Sequence, residues 1–345
     1  MSRQQKKHKP GGWGQSTAEL AGRLGLSRWA VSRALNGRGG VSAETVRRVH
    51  EALARGEVSP SLLARGLRAG GSGLAGIALP DPETFYLAGK LGLMAGRLTG
   101  RGLEPVFRVT DGTADSERRA LVMFAAIRCA VVVVFAARLG RGDAAVQTLE
   151  ATGSRVIHID PVIRGLKVDA VAADRASAMR KGVEYLHGCG HRSAAVAGIT
   201  TGGVYGGMRW KGMRAAARKL GWAEPTLIPT PEGTDEFEEG ARCAEVFFGH
   251  PGRTRAVIAR NDRLAMGFLA RARELGFHCP EDYSIIGYDN APLSAHTDPP
   301  LTTIDPNHTE LILRAAELLH EPVPSAARRS IAPAVVARES CAPPP

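Results

Sequence analysis

The chain has 345 residues, 44% of them apolar, a length that suggests two or three domains with enough hydrophobic residues to fill their cores. No apolar run approaches the length of a membrane span, and the basic start, MSRQQKKHKPGGWGQS, has no apolar stretch after it, which argues against a secretory signal. The net charge of +11 is unevenly placed: the first 70 residues carry 13 Lys/Arg against 4 Asp/Glu, and the other 275 carry 32 against 30. A basic head on a nearly neutral body suits a polyanion, with nucleic acid the first candidate; for residues 3–9 alone, a solvated tail that aids solubility is an equal reading.

In chain order, residues 1–15 are basic and Gly-rich with no period, as in a disordered tail. Ser16 caps a first helix, with Glu19 at the capping-box spacing; Leu20, Ala21 and Leu24 form its apolar stripe and Gly25 stops it. Ser27 caps a second helix whose Ala30, Val31, Ala34 and Leu35 face inward and which Asn36-Gly37 ends. A third helix follows Ser42, with Val46, Val49 and Leu53 as its buried face. Three short helices with a three-residue turn between the first two form the helix-turn-helix pattern, placing a DNA-binding domain at 16–57. Residues 58–73, opening with Ser59-Pro60-Ser61 and closing with AGGSG, read as a hinge or linker with a turn or two of helix inside.

From residue 74 apolar strands alternate with helices. GIALP (76–80), VFRV (106–109), VVVV (131–134), VIHI (156–159), AAVAGI (194–199), AVIA (256–259) and YSIIG (283–287) read as buried strands, with helices such as 86–100 and 115–128 between them. This predicts an α/β body of parallel sheets covered on both faces, with ligands bound at the carboxyl ends of the strands. Asp81, Asp160, Asn261-Asp262 and Asp289 lie at such ends, and the closing CAPPP reads as frayed. The five cysteines (129, 189, 243, 279, 341) are odd in number and lack a CxxC pair, so they read as reduced thiols rather than a disulfide or zinc framework. No metal and no cofactor is expected.

In a helix-turn-helix, the second helix enters the major groove and its first residues reach base edges. Here those are Ser27, Arg28 and Trp29. Arg28 suits a bidentate contact to guanine, Trp29 a thymine methyl, and Ser32 and Arg33, one turn on, a phosphate or base. The alternatives are packing of Trp29 on a neighbouring helix and a solvated face for the two arginines.

STAELAGRLGLSRWAVSRALNGRGGVSAETVRRV resembles the DNA-binding head of the lactose/galactose/purine repressor family, the LacI/GalR type, through its A-x-x-x-G-[VL]-S turn, VSRxLNG and V-S-x-x-T-x-x-x-V runs. The resemblance implies further DNA contacts from Ser16, Thr17 and Asn36. SPSLLARGLRAG looks like the family's hinge segment, which implies a short helix in the minor groove with Leu67 as an apolar wedge and Arg65 beside it. The family's Gly-Tyr-x-Pro-Asn run before the hinge is Glu57-Val58-Ser59-Pro60-Ser61 here, and Arg28 and Trp29 would be the two positions that choose an operator.

The body is similar to the same family through GIALPD, LHGCGHRSAAVAGI, RWKGMRAA, ARNDRLAMGFLARARELGFHCPEDYSIIGYDN and HTDPPLTTIDPN, so the resemblance spans roughly 16–340. It implies a periplasmic-binding-protein architecture at 74–340: one subdomain of about 74–173 plus 306–322, another of about 174–305 plus 323–340, and a ligand between them. It implies ligand contacts from Asp160, Arg209, Asn261 and Asp289, with Phe85 and Tyr86 added from the shortened loop after the first strand. Carboxylate, amide and guanidinium groups together suit a polyol or sugar; a nucleobase stays open.

No GxSxG, P-loop or HExxH is present, and no enzyme is expected. The implied protein is a ligand-responsive, sequence-specific DNA-binding regulator. It is a repressor released from a palindromic double-stranded operator by a sugar-like effector, and it acts as a homodimer in the cytoplasm, associated with the nucleoid and not with a membrane. The alternatives are a corepressor-type regulator whose ligand strengthens DNA binding, and a sugar-binding protein with an incidental basic head.

Overall fold

The computed structural model describes residues 17–35, 39–54, 73–80, 85–162, 169–230, 235–320 and 328–344. They fall into two compact units, a helical head within the first 74 residues and an α/β body. In the head, α1 (Thr17–Leu24), α2 (Arg28–Leu35) and α3 (Ala43–Ala54) bury Leu20, Ala21, Val31, Ala34, Val49 and Ala52 against one another. Gly25 takes a positive φ of 63°, which lets the Leu26 amide turn back onto the Ala21 carbonyl and end α1. Arg48 of α3 donates to the Leu24 carbonyl at 2.7 Å and satisfies another orphan group of that helix end. Ser27 and Ser42 each accept a backbone N–H from three residues on, at 3.0 and 3.2 Å, as N-cap residues do. The expected capping box at Ser16 lies outside the described residues.

The body holds two six-stranded sheets. The first has the order β11-β5-β4-β3-β1-β2, built from β1 (Leu74–Pro80), β2 (Glu104–Thr110), β3 (Val131–Phe135), β4 (Arg155–Ile159), β5 (Ala170–Ala173) and β11 (Arg328–Ile331). The second has the order β12-β10-β9-β8-β6-β7, from β6 (Ala195–Ala197), β7 (Thr226–Leu227), β8 (Ala256–Ala259), β9 (Ser284–Tyr288), β10 (Thr303–Asp305) and β12 (Ala334–Val336). Only β12 runs antiparallel to its neighbour among the registered pairs. Helices α4 (Phe85–Thr99), α5 (Ala114–Ala126), α6 (Ala144–Ala151) and α11 (His308–Glu317) serve the first sheet; α7 (Arg175–Gly188), α8 (Val204–Lys219), α9 (Glu236–Gly249) and α10 (Asp262–Glu274) serve the second. Continuous apolar strands are buried on both faces, as Val132 and Val133 show at 0% exposure.

The structure differs from the sequence reading in three places. VFRV is not a buried strand: β2 is the sheet edge, and Phe107 and Val109 face solvent. Residues 328–331 belong to the first subdomain, because β11 pairs along all four residues of β5, so the chain returns to the second subdomain at 332–334 rather than at 323. The C-terminal segment is docked instead of frayed: Ala342 exchanges hydrogen bonds with Ser284, and His191 meets both Ser284 Oγ at 2.9 Å and the Ala342 carbonyl at 3.1 Å. That contact gives the Gly-His-Arg turn its structural job.

Helices α9 and α10 approach closely through two glycines. A Cβ on Gly240 would stand 2.0 Å from the Leu264 carbonyl oxygen, and one on Gly267 the same distance from the Phe237 oxygen. Backbone cannot yield as a side-chain tip can. Gly240→Val should therefore cost about 3 kcal/mol or more, read as a lower urea midpoint of the full-length protein, whereas Gly249→Val, at an open position, should cost under about 1 kcal/mol.

Candidate functional site

In the head, the N-terminal half of α2 presents Arg28 and Trp29 to solvent, and Trp29 is 59% exposed. It does not pack into the three-helix core. The Arg33 guanidinium lies 5.0 Å from its ring centre, and Arg33 Nε donates to the Gly39 carbonyl at 2.5 Å. A large apolar surface is thus held beside a fixed cation on one helix face, the pattern of a surface that another molecule covers.

In the body, the carboxyl ends of the strands converge on a cavity of about 170 Å³. Phe135, Ile159 and Leu311 form its apolar wall, and Asp160, Arg175, Tyr205 and His308 its polar side. Ala136, Asp160 and Asp289, each directly after a strand, hold φ of 51°, 51° and 105°, a strained region for residues with a Cβ and one that collects at functional sites. The Asp160 carboxylate takes both arms of the Arg175 guanidinium, at 2.8 and 3.1 Å, and the Ala173 amide at 2.8 Å. Burial alone would drive this carboxyl up, yet Arg175 outweighs it and holds Asp160 below the usual range. The Tyr205 hydroxyl donates to the Asp160 carbonyl, and Arg175 stacks over the Tyr205 ring at 3.9 Å.

Beyond this lie the ends of β8 and β9. Asp289 accepts from His308 Nε2 at 3.2 Å. The Arg209 guanidinium sits 4.3 Å over the Tyr288 ring and donates to the Arg260 carbonyl at 3.3 Å. Asp262 accepts from Thr303 Oγ1 at 2.5 Å and from the Ala291 amide at 2.7 Å, so it fixes the segment that carries Asp289. Among the described residues, no cluster of His, Cys, Asp and Glu has the geometry of a metal site, and no helix is long and apolar enough to cross a membrane.

Residues 183–341 match the family model of the periplasmic binding protein-like domain. The HTH-type transcriptional regulator reg1 of Streptomyces lividans is 28% identical over 83% of this chain and 84% of its own length, and AscG of Escherichia coli is 26% identical over 85% and 88%. Among solved structures, the Lac repressor bound to ONPG in its repressed state aligns with a TM-score of 0.78 at 22% identity, covering 95% of this chain and 99% of that one. The chain is thus similar over most of its length to HTH-type transcriptional regulators, and it shares the fold of the Lac repressor.

Its relatives are regulators and not enzymes. Of the residues that the family resemblance singled out, Asp160, Arg209 and Asp289 are brought around the cleft, but each already has a protein partner. Asn261 has a structural role beside its expected ligand contact. It is the N-cap of α10, its Oδ1 accepting from the Leu264 amide at 3.0 Å, and its Nδ2 donates to Glu236 Oε1 at 2.6 Å. A helix start needs an acceptor at that position, and one donor and one lone pair of the amide stay open. Phe85 and Tyr86 open α4 and Thr17 opens α1, with side chains outside the described residues; Ser16, Asn36, Arg65 and Leu67 lie outside them altogether. Ser27 is confirmed as the cap of α2, and Ser32 is half-buried on it. The sequence reading missed Arg175, Tyr205, His308 and Tyr288. Arg175 follows a four-residue strand too short to stand out; had β5 been recognised, the strand-end rule would have flagged it.

Burial, opposed by the Thr303 hydrogen bond and reinforced by the neighbouring Asp289, pushes Asp262 up to about 7. A carboxyl whose folded value is raised takes up a proton on folding, so its favourable contribution is complete below about pH 4 and is lost as pH rises to 7. The protein should lose stability between about pH 4 and pH 7, seen as a falling urea midpoint, and Asp262→Asn should flatten that slope. An unchanged slope in the variant would assign the titration elsewhere.

Proposed function

We propose that this regulator is a repressor that binds a palindromic operator as a homodimer, at the nucleoid in the cytoplasm, and is released by a sugar-like molecule held in the cleft of the body. The observation that carries the reading is the solvent-facing Trp29 and Arg28 on the first turn of a capped second helix, where base-reading residues of a helix-turn-helix stand. The cavity at the strand ends, with charged and aromatic groups on one side and aliphatic ones on the other, supports an effector with hydroxyls and an apolar ring face. Solved structures of similar fold include a CelR–cellobiose complex and a LacI family regulator from Enterococcus faecium with bound ribose. The edge strand β2 and the adjoining α5 support the dimer: Phe107, Val109 and Val122 are 45%, 51% and 51% exposed, an apolar patch suited to a second copy.

Selection from a random duplex pool with the full-length protein should enrich a palindrome. Arg28→Ala and Trp29→Ala should each weaken that site by about ten- to hundredfold while leaving non-specific binding within about twofold. Enrichment of no sequence, with binding that simply fades in salt, would leave the head an electrostatic anchor and overturn the reading. Arg209→Ala should keep operator affinity and lose release by the effector. For the dimer, Val109→Asp should shift the sedimenting species from two copies to one; an unchanged dimer would place the interface elsewhere.

A further inference from the structure

Two arginines stand on α2, and the structure treats them differently. Arg28 is exposed on the first turn, and among the described residues nothing holds its guanidinium. Arg33 is half-buried and held in place. Its Nε donates to the Gly39 carbonyl at 2.5 Å, and its Cζ lies 5.0 Å from the centre of the Trp29 ring. Trp29 and Arg33 are four residues apart, so the helix brings them to one face. A guanidinium within about 6 Å of an indole is drawn to the negative face of the ring. Gly40 completes the seat. A Cβ there would stand 3.3 Å from Arg33 Nε and 3.4 Å from Nη2, and its φ of 96° is one that residues with a Cβ rarely adopt.

This seat leaves one edge of the guanidinium for a partner. The group has five N–H donors and no acceptor. With Nε spent on Gly39, four donors stay on Nη1 and Nη2, and none has an acceptor among the described residues. One from each nitrogen points away from Cζ, side by side, and this is a fork that matches O6 and N7 of guanine in the major groove. An ordered fork loses little freedom when it binds, whereas a loose one such as Arg28 must first be fixed. Such ordering serves the reading of a base, where the acceptors stand at fixed places. A phosphate contact positions the protein without reading sequence and gains less from it. The exposed Trp29 thereby acquires a task within its own helix.

We propose that Arg33 reads a guanine in the operator and that Trp29 is its positioning residue, so that the contribution of Trp29 to recognition passes through Arg33 and not through a base of its own. This rests on the reading of the head as a helix-turn-helix that enters the major groove. Tyrosine at position 29 keeps an aromatic face for the guanidinium; leucine keeps apolar bulk and loses that face.

The test is a binding panel with the full-length protein. The selected operator, and variants of it with each base pair of the half-sites replaced in turn, are titrated with the wild type, Arg33→Ala, Trp29→Leu, Trp29→Tyr and the double variant Arg33→Ala/Trp29→Leu. Arg33→Ala should relax the preference for guanine at one position by about five- to hundredfold. Trp29→Leu should relax the same position by a smaller factor, and Trp29→Tyr should keep most of the preference. The double variant should lose no more there than Arg33→Ala alone. Trp29 lies outside the buried core of the head, so its variants should keep non-specific binding within about twofold. Relaxation of a different position by Trp29→Leu, adding to the effect of Arg33→Ala, gives Trp29 a base of its own and overturns the positioning role. An equal loss at every position with Arg33→Ala marks a phosphate contact and overturns the guanine assignment. Enrichment of no sequence in the selection overturns the helix-turn-helix reading and this inference with it.

Discussion

The body depends on one buried fork, Arg175 onto Asp160. Asp160 follows β4, the Ala173 amide it also accepts belongs to β5, and Arg175 is the first residue of α7, so three bonds tie together the point where the chain leaves the first sheet for the second. Both side chains are nearly buried, at 9% and 12% exposure. A pair in that setting adds little net stability over an apolar substitute, but removing one member leaves a desolvated charge and costs about 3–5 kcal/mol. The φ of 51° at Asp160 is part of the same arrangement, since strain of that kind, about 1–3 kcal/mol, persists only where its surroundings over-determine it. The fork therefore acts less as glue than as a constraint: it fixes where the strand ends lie, and so the shape of the cavity.

That constraint gives a physical route from cavity to linker. β1 starts at Leu74, where the linker ends, and finishes at Pro80, which lines the cavity. Its seven residues, six of them buried, make a strut of roughly 20 Å at about 3.3 Å each, and Ala75–Ala78 pair with β3. If the proposed effector favours one arrangement of the subdomains, it shifts their populations, and operator DNA then shifts the affinity for the effector by the same factor. His308 adds a second tie. It begins α11, whose Leu311 and Ile312 pack on the first sheet, while its ring meets Asp289 at the end of β9 in the second.

The architecture was legible because its signals are strong and local. Four consecutive valines between turn residues can hardly be anything but a strand buried on both sides, and Gly25 and Ser27 mark the ends of two helices by needs that no other part of the chain imposes. Short or exposed strands were not legible: β5 and β7 have four and two residues, and VFRV carries the pattern of a core strand although it lies at an edge. The site was half legible. Asp160, Arg209 and Asp289 could be placed by motif, but a motif does not say whether a side chain is free. Asn261 shows the difficulty: asparagine after a strand and before a helix suits a ligand contact and an N-cap alike, and the N-cap role shows only in the distances to Leu264 and Glu236. Arg175 was invisible for the opposite reason. It lies among other basic residues in sequence, and only folding turns it inward to meet Asp160.

Arginine thus serves two opposite ends in one chain, and solvent rather than residue type separates them. In the head, Arg28 is exposed and Arg33 is steadied by Trp29 and Gly39. Such charges attract a polyanion over a Debye length of about 8 Å at physiological salt, release counterions when they meet it, and weaken as salt rises. In the cleft, Arg175 is buried and its charge is held against desolvation by Asp160, which keeps its proton affinity above the ordinary value although burial works against it. There the dielectric is low, screening is slight, and a charge is selective because leaving it unpaired is costly. The excess of basic residues in the head supplies attraction with little discrimination, which the few contacts of α2 must then refine. A buried guanidinium in the cleft supplies discrimination directly, since it takes as partners only groups that can replace the water it has lost.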